Sequence, residues 1–256
     1  SSDLMKLLIV NDDGINAKGI YTLARELEKD HEVTIVAPDN QRSATSHAIT
    51  LTQPIIVKRV NIPDINSKAY SISGSPADCV RVALDQIMEG QVDLVLSGIN
   101  MGVNIGMDVL YSGTVSAAIE ANIYNIPSIA ISAEVTKDKD CSYDIAAKYV
   151  KWVIEKVNHR FINSNTVLNI NTPCVDESDI KGVKVCRIGG VRYDYYFVED
   201  NEDEEMSLII SGRTKDELEK DTDRYYLKEG YITVTPLQYD LTNFKLIEEV
   251  KDWFDN

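Results

Sequence analysis

Short apolar runs alternate with helix-like stretches through the first two thirds of the chain. The apolar runs have the length of strands, and they cover residues 6–10, 32–37, 94–96, 128–132 and 167–171. The stretches between them have helical patterning, and they cover residues 20–28, 76–88, 114–122 and 143–157. Helices that join successive strands form crossover connections, which make neighbouring strands parallel. The pattern therefore predicts a doubly wound α/β fold with a mostly parallel sheet.

The pattern changes after about residue 189. An aromatic-rich run at 191–197 and an apolar run at 208–210 flank an acidic stretch at 199–205. This arrangement predicts a hairpin-like arm whose two strands meet at a charged turn. Two further elements are expected, a returning strand and an amphipathic terminal helix, at residues 231–234 and 244–254.

The size and composition fit a globular protein with a sizeable core. The chain has 256 residues, of which 44% are hydrophobic, enough for one large α/β domain or two small ones. We expect a core of residues 5–190 and a C-terminal extension of residues 191–256. Since we find neither a signal-peptide pattern nor an apolar run of ~18 residues, we expect a cytoplasmic protein without a membrane partner.

The formal net charge of -15 narrows the range of partners. Binding duplex nucleic acid through its phosphates requires a basic surface, so the charge argues against that class of protein. The overall field would also repel an anionic substrate. A phosphate site on this chain would therefore need a bound metal ion or N–H groups aimed at the anion.

The cysteines and histidines indicate which kind of metal site is possible. They are Cys79, Cys141, Cys174, Cys186, His31, His47 and His159. The cysteines lack the paired spacing of a zinc site or a redox motif, which predicts buried, reduced thiols. The histidines are too scattered for a metal cluster. A metal site would therefore be built mainly from oxygen ligands, which favours magnesium or manganese over zinc.

Four polar loops carry the candidate chemistry. They cover residues 11–14, 38–47, 97–106 and 111–114. Because the carboxyl ends of parallel strands lie along one edge of a sheet, we expect these loops to meet there. The adjacent carboxylates of Asp12 and Asp13 repel each other unless a cation neutralises them or water solvates both. We predict a divalent ion, with Ser43 and Asn100 completing the oxygen ligands.

The turn at 112–114 comes directly before a predicted helix. Free N–H groups at a helix start bind anions, and hydroxyl groups lie beside them in this turn. An ordinary helix cap is the commoner role of such residues. Beside a metal ion, however, the turn would hold a phosphate group whose oxygen the ion polarises. The combination favours hydrolysis of a phosphate ester.

Six segments resemble the motifs of one protein family. They read NDDG, APDNQRSATSHAIT, SGSPADCV, SGINMGVNIG, YSGTVSAAIEA and GYITVTPLQYDLT, in that order from Lys6 to about Thr242. They resemble the SurE family of stationary-phase survival proteins. The resemblance implies a Rossmann-like, three-layer αβα core and a metal-dependent 5'-nucleotidase that hydrolyses nucleoside 5'-monophosphates. Substrates of such an enzyme would also include 3'-nucleotides and short polyphosphates.

The resemblance also implies roles for individual residues. One divalent ion, manganese or magnesium, would be held by Asp12, Asp13, Ser43 and Asn100. The phosphate group would contact Asn104, Ser112, Gly113 and Thr114. The residues themselves do not identify the base that takes a proton from water; the candidates are Asp12 or Asp13, with His47 as an alternative. Ala44 occupies a position where many members have glycine, and the assembly would be a homodimer or homotetramer that exchanges the arm and the terminal helix.

Three other classes of protein compete with this interpretation. A haloacid dehalogenase-type phosphatase needs a DxDx(T/V) spacing, which residues 11–14 do not supply. A receiver domain is about half this length and needs a separate phosphoacceptor aspartate on a later strand. A nucleotide-binding module without hydrolytic activity stays open as the alternative, because it would bind the same ligand without releasing phosphate.

Overall fold

The structure, a computed structural model, describes residues 4–136, 142–162, 166–191, 194–202, 205–213 and 218–255. Its strands are β1 (Lys6–Val10), β2 (Glu32–Pro38), β3 (Val57–Val60), β4 (Lys68–Ile72), β5 (Leu94–Met101), β6 (Ser128–Ala133), β7 (Val167–Thr172), β8 (Val183–Val185), β9 (Asp194–Glu202), β10 (Glu205–Arg213) and β11 (Ile232–Leu237). Its α-helices are α1 (Lys18–Leu27), α2 (Pro76–Val82), α3 (Gly113–Ile123), α4 (Tyr143–Ile162), α5 (Asp223–Lys228) and α6 (Ile247–Asp252).

One large, mostly parallel sheet organises the chain. Its strand order is β3-β4-β2-β1-β5-β6-β7-β11-β8, and β9 and β10 form a separate two-stranded sheet. β1 pairs in parallel with both β2 and β5, so the chain winds outward from β1 in two directions. β3 and β11 run antiparallel to their neighbours β4 and β7. This order confirms the predicted doubly wound α/β fold.

Strand β1 shows why a continuous apolar run forms the centre of the sheet. Leu7 and Ile9 pack in one buried cluster with residues of α1 and α4. Leu8 and Val10 pack in another with residues of α2 and α3. Successive side chains of a strand point to opposite faces, so a strand covered on both sides needs apolar residues throughout. The helices cover both faces of the sheet and make three layers.

Several elements differ from the prediction in extent. β5 continues to Met101, with a register shift between Ser97 and Asn100, so the predicted loop 97–106 begins inside a strand. The predicted helix 76–88 is α2 followed by a π-helical segment at Ala83–Ile87. β3, β4, β8 and α5 have no counterpart in the prediction. The three strands mix polar and apolar residues and lack the continuous apolar run that marks β1, and α5 has only six residues, too few for a helical period.

The C-terminal part differs more strongly. The predicted charged turn 199–205 is wrong in extent, because β9 continues to Glu202 and β10 begins at Glu205. Helix α6 is shorter than the predicted 244–254, and it buries none of its residues. Short helices draw most of their stability from packing, so an uncovered apolar face does not sustain a longer one. The predicted returning strand is β11, which joins the large sheet between β7 and β8.

The structure also tests the predictions of reduced cysteine thiols and of a chain without a membrane-spanning helix. Cys79 and Cys186 are free thiols. Cys174 is disulfide-bonded, so the prediction of reduced thiols is wrong for this residue. Spacing along the chain did not reveal the bond because a disulfide depends on proximity in space. Across the described ranges, no helix is both long enough and apolar enough to cross a membrane.

Candidate active site at the carboxyl edge of the sheet

The turn after β1 places two carboxylates at the point where the strand order reverses. β1 lies between β2 and β5, and ligands of open α/β sheets bind outside the carboxyl ends of strands at such a point. The Asn11 side chain closes the turn, since its Nδ2 donates to Gly14 O (2.9 Å) and its Oδ1 accepts from Gly14 N (3.1 Å). Gly14 has a φ of 96°, which favours glycine. The turn directs Asp12 and Asp13 away from the strand.

Asp12 is the more deeply buried of the two acids, with 4% of its surface exposed. The Thr114 hydroxyl donates a 2.5 Å hydrogen bond to its Oδ1. A Cβ atom on Gly113 would lie 2.9 Å from Asp12 Cβ, so the start of α3 packs directly on this side chain. Burial, together with the charge of Asp13, raises the pKa of Asp12 to about 6, although the Thr114 hydrogen bond lowers it.

Asp13 is half-buried and accepts two hydrogen bonds. The donors are Met101 N (2.8 Å) and Gln41 Nε2 (3.3 Å). Burial raises the pKa of Asp13 above its ordinary value, although these hydrogen bonds lower it. In the part of the chain that the structure describes, no lysine, arginine or histidine forms an ion pair with Asp12 or Asp13. The two acids therefore form an uncompensated anionic pair, which a cation would stabilise.

The loop that carries Ser43 reaches this acid pair through Gln41. Gln41 Nε2 donates to Ser43 Oγ (2.9 Å) as well as to Asp13, so both oxygens lie within 3.3 Å of one nitrogen atom. Arg42 N donates to Asp12 O (2.7 Å) and ties the loop to the end of β1. Ala44 has a φ of 54°, a left-handed conformation that glycine adopts more easily than alanine. The loop thus brings a hydroxyl oxygen to Asp13.

Asn100 approaches from the carboxyl end of β5. Its Nδ2 donates to Gly102 O (2.7 Å), and its Oδ1 accepts no hydrogen bond from any residue in the described ranges. The amide oxygen is therefore available as a ligand. Met101, the next residue, donates its N–H to Asp13, so β5 and the turn after β1 are directly connected. The four predicted metal ligands belong to three segments that meet at one edge.

The start of α3 uses its hydroxyl groups within the protein. Ser112 Oγ accepts from Val115 N (3.1 Å) and caps the helix, as the commoner role of such residues predicts. The Thr114 hydroxyl holds Asp12 rather than pointing to an open site. What this turn offers an anion is therefore backbone N–H groups and the positive end of the helix dipole.

Asn104 is held by asparagines that the sequence analysis did not single out. Its N–H donates to Asn171 Oδ1 (2.8 Å), and its carbonyl accepts from Asn169 Nδ2 (2.8 Å) and Asn171 Nδ2 (3.1 Å). Its own Nδ2 donates to Ser132 Oγ (2.8 Å), which leaves one N–H of that group. The signal was present, because two buried asparagines at alternate positions of apolar strand β7 share one face.

His47 belongs to a second polar contact of the same loop. Its Nε2 lies 2.6 Å from Glu120 Oε2, and Arg81 donates to the other oxygen of Glu120 at 3.1 Å. Burial raises the pKa of Glu120, and the contacts with His47 and Arg81 outweigh that effect and lower it overall. The observed partner of His47 is therefore a carboxylate on α3, away from the acid pair. Sequence analysis did not find this contact, because its three residues come from distant segments.

Tyr143 is another residue that the sequence analysis missed. It begins α4 and is partly buried against the core. Burial raises its pKa above the ordinary value, and the negative charge of Asp13 adds to the rise. The Tyr143 phenol therefore lies within electrostatic reach of Asp13. Tyrosine at a helix start carries no distinct sequence signal, so only the fold reveals this placement.

The fold and the geometry of the site together define a class of protein. It is an α/β protein with an acidic, oxygen-rich centre beside a helix N-terminus, an arrangement suited to a cation and a phosphate group. The family model described as Survival protein SurE matches residues 7–195 of the chain. This chain belongs to the SurE family.

Named relatives agree with this assignment over nearly the full length. A protein named 5'-nucleotidase SurE from Clostridium tetani (strain Massachusetts / E88) is 51% identical over 250 residues, covering 98% of this chain and 100% of the relative. One of the same name from Clostridium botulinum (strain Loch Maree / Type A3) is 50% identical over 251 residues, covering 98% and 99%. The crystal structure of a SurE protein from Aquifex aeolicus matches with a TM-score of 0.86 and 36% identity, covering 98% and 100%.

Proposed function

We infer that this chain is a 5'-nucleotidase that hydrolyses nucleoside 5'-monophosphates to nucleoside and phosphate. The observation that carries this inference is the uncompensated pair Asp12 and Asp13, placed where the strand order reverses and packed against the N-terminus of α3. The near full-length similarity to proteins named 5'-nucleotidase SurE supports the same reaction. Substrates that present the same phosphate group, 3'-nucleotides and short polyphosphates, fall within the proposal.

The residues at this edge fit one divalent ion, magnesium or manganese. Two anionic carboxylates, a hydroxyl and an amide oxygen are the ligands these ions prefer, and the residues are Asp12, Asp13, Ser43 and Asn100. The free Oδ1 of Asn100 and the absence of an ion pair at either acid within the described ranges support this assignment. A bound ion would polarise a phosphoryl oxygen and acidify a water molecule.

The protein's own groups would bind and orient the phosphate. Backbone N–H groups at the start of α3, in the turn of Ser112, Gly113 and Thr114, offer partial positive charge to an anion. Asn104 adds the remaining N–H of its side chain, and its backbone is fixed by Asn169 and Asn171. Fixed donors of this kind stabilise charge that develops on a phosphoryl group.

Proton transfer from the attacking water falls to one of the two acids. Asp12 is buried and accepts the short hydrogen bond from Thr114. Asp13 is half-buried, and a water molecule reaches it more readily. Asp13 is therefore the better placed of the two candidates. His47 contacts Glu120 instead, which argues against it.

A homodimer or homotetramer is the proposed assembly, formed through the C-terminal part. β10 exposes Met206, Leu208, Ile209 and Ile210, each with 48–58% of its surface accessible. Phe244 and Phe254, on either side of α6, are exposed by 63% and 80%. Exposed apolar side chains of this kind favour contact with another protein surface. The proposed partner is a second copy of this chain.

Phosphate release tests the proposed reaction. The metal-free protein is assayed on adenosine 5'-monophosphate, adenosine 3'-monophosphate, ribose 5-phosphate and tripolyphosphate, with a chelator and then with excess manganese or magnesium. We expect no release with the chelator and recovery with either ion. Binding of the 5'-nucleotide without phosphate release under every condition would favour the non-hydrolytic binding module instead.

A further inference from the structure

Large apolar side chains that are exposed to solvent occur in the segments next to the acidic site. Met101, Leu110 and Tyr111 have 55%, 52% and 60% of their surfaces accessible. Met101 ends β5, and Leu110 directly precedes Tyr111, which adjoins the turn at the start of α3. Met101 donates its N–H to Asp13, and Tyr111 directly precedes Ser112, the cap of α3. Apolar groups exposed beside convergent polar groups are typical of a ligand site.

The backbone at Tyr111 is fixed while its ring is exposed. Tyr111 N donates to Asp108 O (3.0 Å), and Tyr111 O accepts from Ser46 N (3.1 Å) of the loop that carries Ser43. An aromatic ring on a backbone held from both sides presents a flat surface at little conformational cost. Tyrosine also combines an apolar face with a polar tip, which suits a surface that is wet when empty and covered when occupied.

The backbone of Tyr111 is also close to the acid pair. Tyr111 is two residues before Gly113, where an added Cβ would lie 2.9 Å from Asp12 Cβ. Consecutive Cα atoms are 3.8 Å apart, so the Cα atoms of Tyr111 and Gly113 are separated by about 8 Å at most. A ligand whose phosphate lies at the start of α3 therefore has Tyr111 within reach of its other end.

We propose that Tyr111 is the platform on which the nucleobase of the substrate stacks, with Met101 and Leu110 beside it. This inference rests on the proposed 5'-nucleotidase function and names the part of the site that takes the base. The polar groups of the site serve the phosphate, which leaves the flat, aromatic end of a nucleotide to be matched. Stacking accepts every base because each has a π-face. The site therefore discriminates nucleotides from other phosphate esters more than it discriminates one base from another.

The test compares a substrate that has a base with one that lacks it. Steady-state kcat/KM is measured on adenosine 5'-monophosphate and on ribose 5-phosphate for the wild type, Tyr111→Ala and Tyr111→Phe. For Tyr111→Ala we expect a loss of about fivefold to 100-fold on the nucleotide, the range expected when a base loses its stacking partner. The rate on ribose 5-phosphate stays within about twofold, and Tyr111→Phe resembles the wild type on both.

Tyr124→Ala is the matched control. Tyr124 follows the other end of α3 and is 44% exposed, so its removal tests the loss of an exposed tyrosine at a distance from the acid pair. We expect no change on either substrate. A second readout does not depend on catalysis, because inhibition by adenosine should weaken in Tyr111→Ala while inhibition by inorganic phosphate stays the same.

Two results would overturn the inference. Equal losses on both substrates in Tyr111→Ala would show that the residue supports the site structurally. Unchanged kinetics on both substrates, with unchanged adenosine inhibition, would show that the base does not touch it. Failure of the proposed function is distinguishable, because the wild type would then release phosphate from neither compound.

Discussion

The carboxyl edge of the sheet and the C-terminal arm are built in opposite ways. At the edge, buried polar side chains such as Asp12, Asn104 and Glu120 each hold hydrogen bonds to another element. In the arm, apolar side chains of β10 such as Leu208 and Ile210 are about half exposed. Buried polar groups with partners fix one geometry, whereas exposed apolar groups call for a covering surface. One chain therefore forms its own site and leaves its own arm uncovered.

Among variants at the edge and in the arm, Asp13→Asn is expected to change activity the most. The amide keeps the size of the side chain but removes a charge that a cation requires. We expect phosphate release from adenosine 5'-monophosphate to fall by about 100-fold or more at saturating manganese. Asp39→Asn, an exposed aspartate in the loop that follows β2, is the control and should stay within about twofold. Near-normal turnover of Asp13→Asn would remove this residue from the chemistry.

Asp12→Asn tests the cost of burying an acid at the edge. The pKa of Asp12 in the folded state, about 6, lies above the ordinary value of 3.8. Protonated Asp12 therefore stabilises the folded state in acid, and this contribution to the free energy of unfolding is lost as the pH rises through about 6. At pH 7 and with a chelator present, we expect the free energy of unfolding of the variant to exceed that of the wild type by on the order of 2–3 kcal/mol. The difference should disappear near pH 3. Thermal unfolding at the two pH values checks it, and a variant no more stable at pH 7 contradicts it.

Gly113→Ala should disturb the edge through packing alone. Its Cβ would lie 2.9 Å from Asp12 Cβ and 3.1 Å from Pro76 Cγ, so one of these groups must shift. Such overpacking costs about 1–3 kcal/mol, and misplacing Asp12 should lower kcat by roughly tenfold. Gly190→Ala is the control, because a Cβ there has no neighbour within 4 Å. Equal melting temperatures and rates for the two variants would refute the close contact.

Substitutions in the arm are expected to change activity the least. Leu208→Ser combined with Ile210→Ser should reduce the assembly to a smaller species, measured by light scattering. Activity per chain should stay within about twofold, because all the proposed site residues come from one chain. Ile123→Ser, an apolar residue of the core that is 45% exposed at the end of α3, is the control and should leave the assembly unchanged. An unaltered mass in the double variant would exclude these side chains from the contact.

The prediction of elements succeeds where the pattern is local. β1 follows the predicted bounds, and β6, α3 and β7 lie within a residue of theirs, because apolar periodicity over a short stretch is a property of that stretch. β3 and α6 are different. β3 is a largely exposed edge strand and α6 buries none of its residues, so their extents depend on neighbours more than on their own pattern.

Sequence by itself determined the family, the fold class and the placement of Asp12 and Asp13 after a buried strand. Only the tertiary structure decided which side chains contact each other across the fold. It gave the Thr114 hydroxyl to Asp12, joined His47 to Glu120 and placed Cys174 in a disulfide. The reason is physical, since strands, helices and motifs are encoded by neighbours along the chain. Most of these partners lie tens of residues apart in sequence, and only folding brings them together.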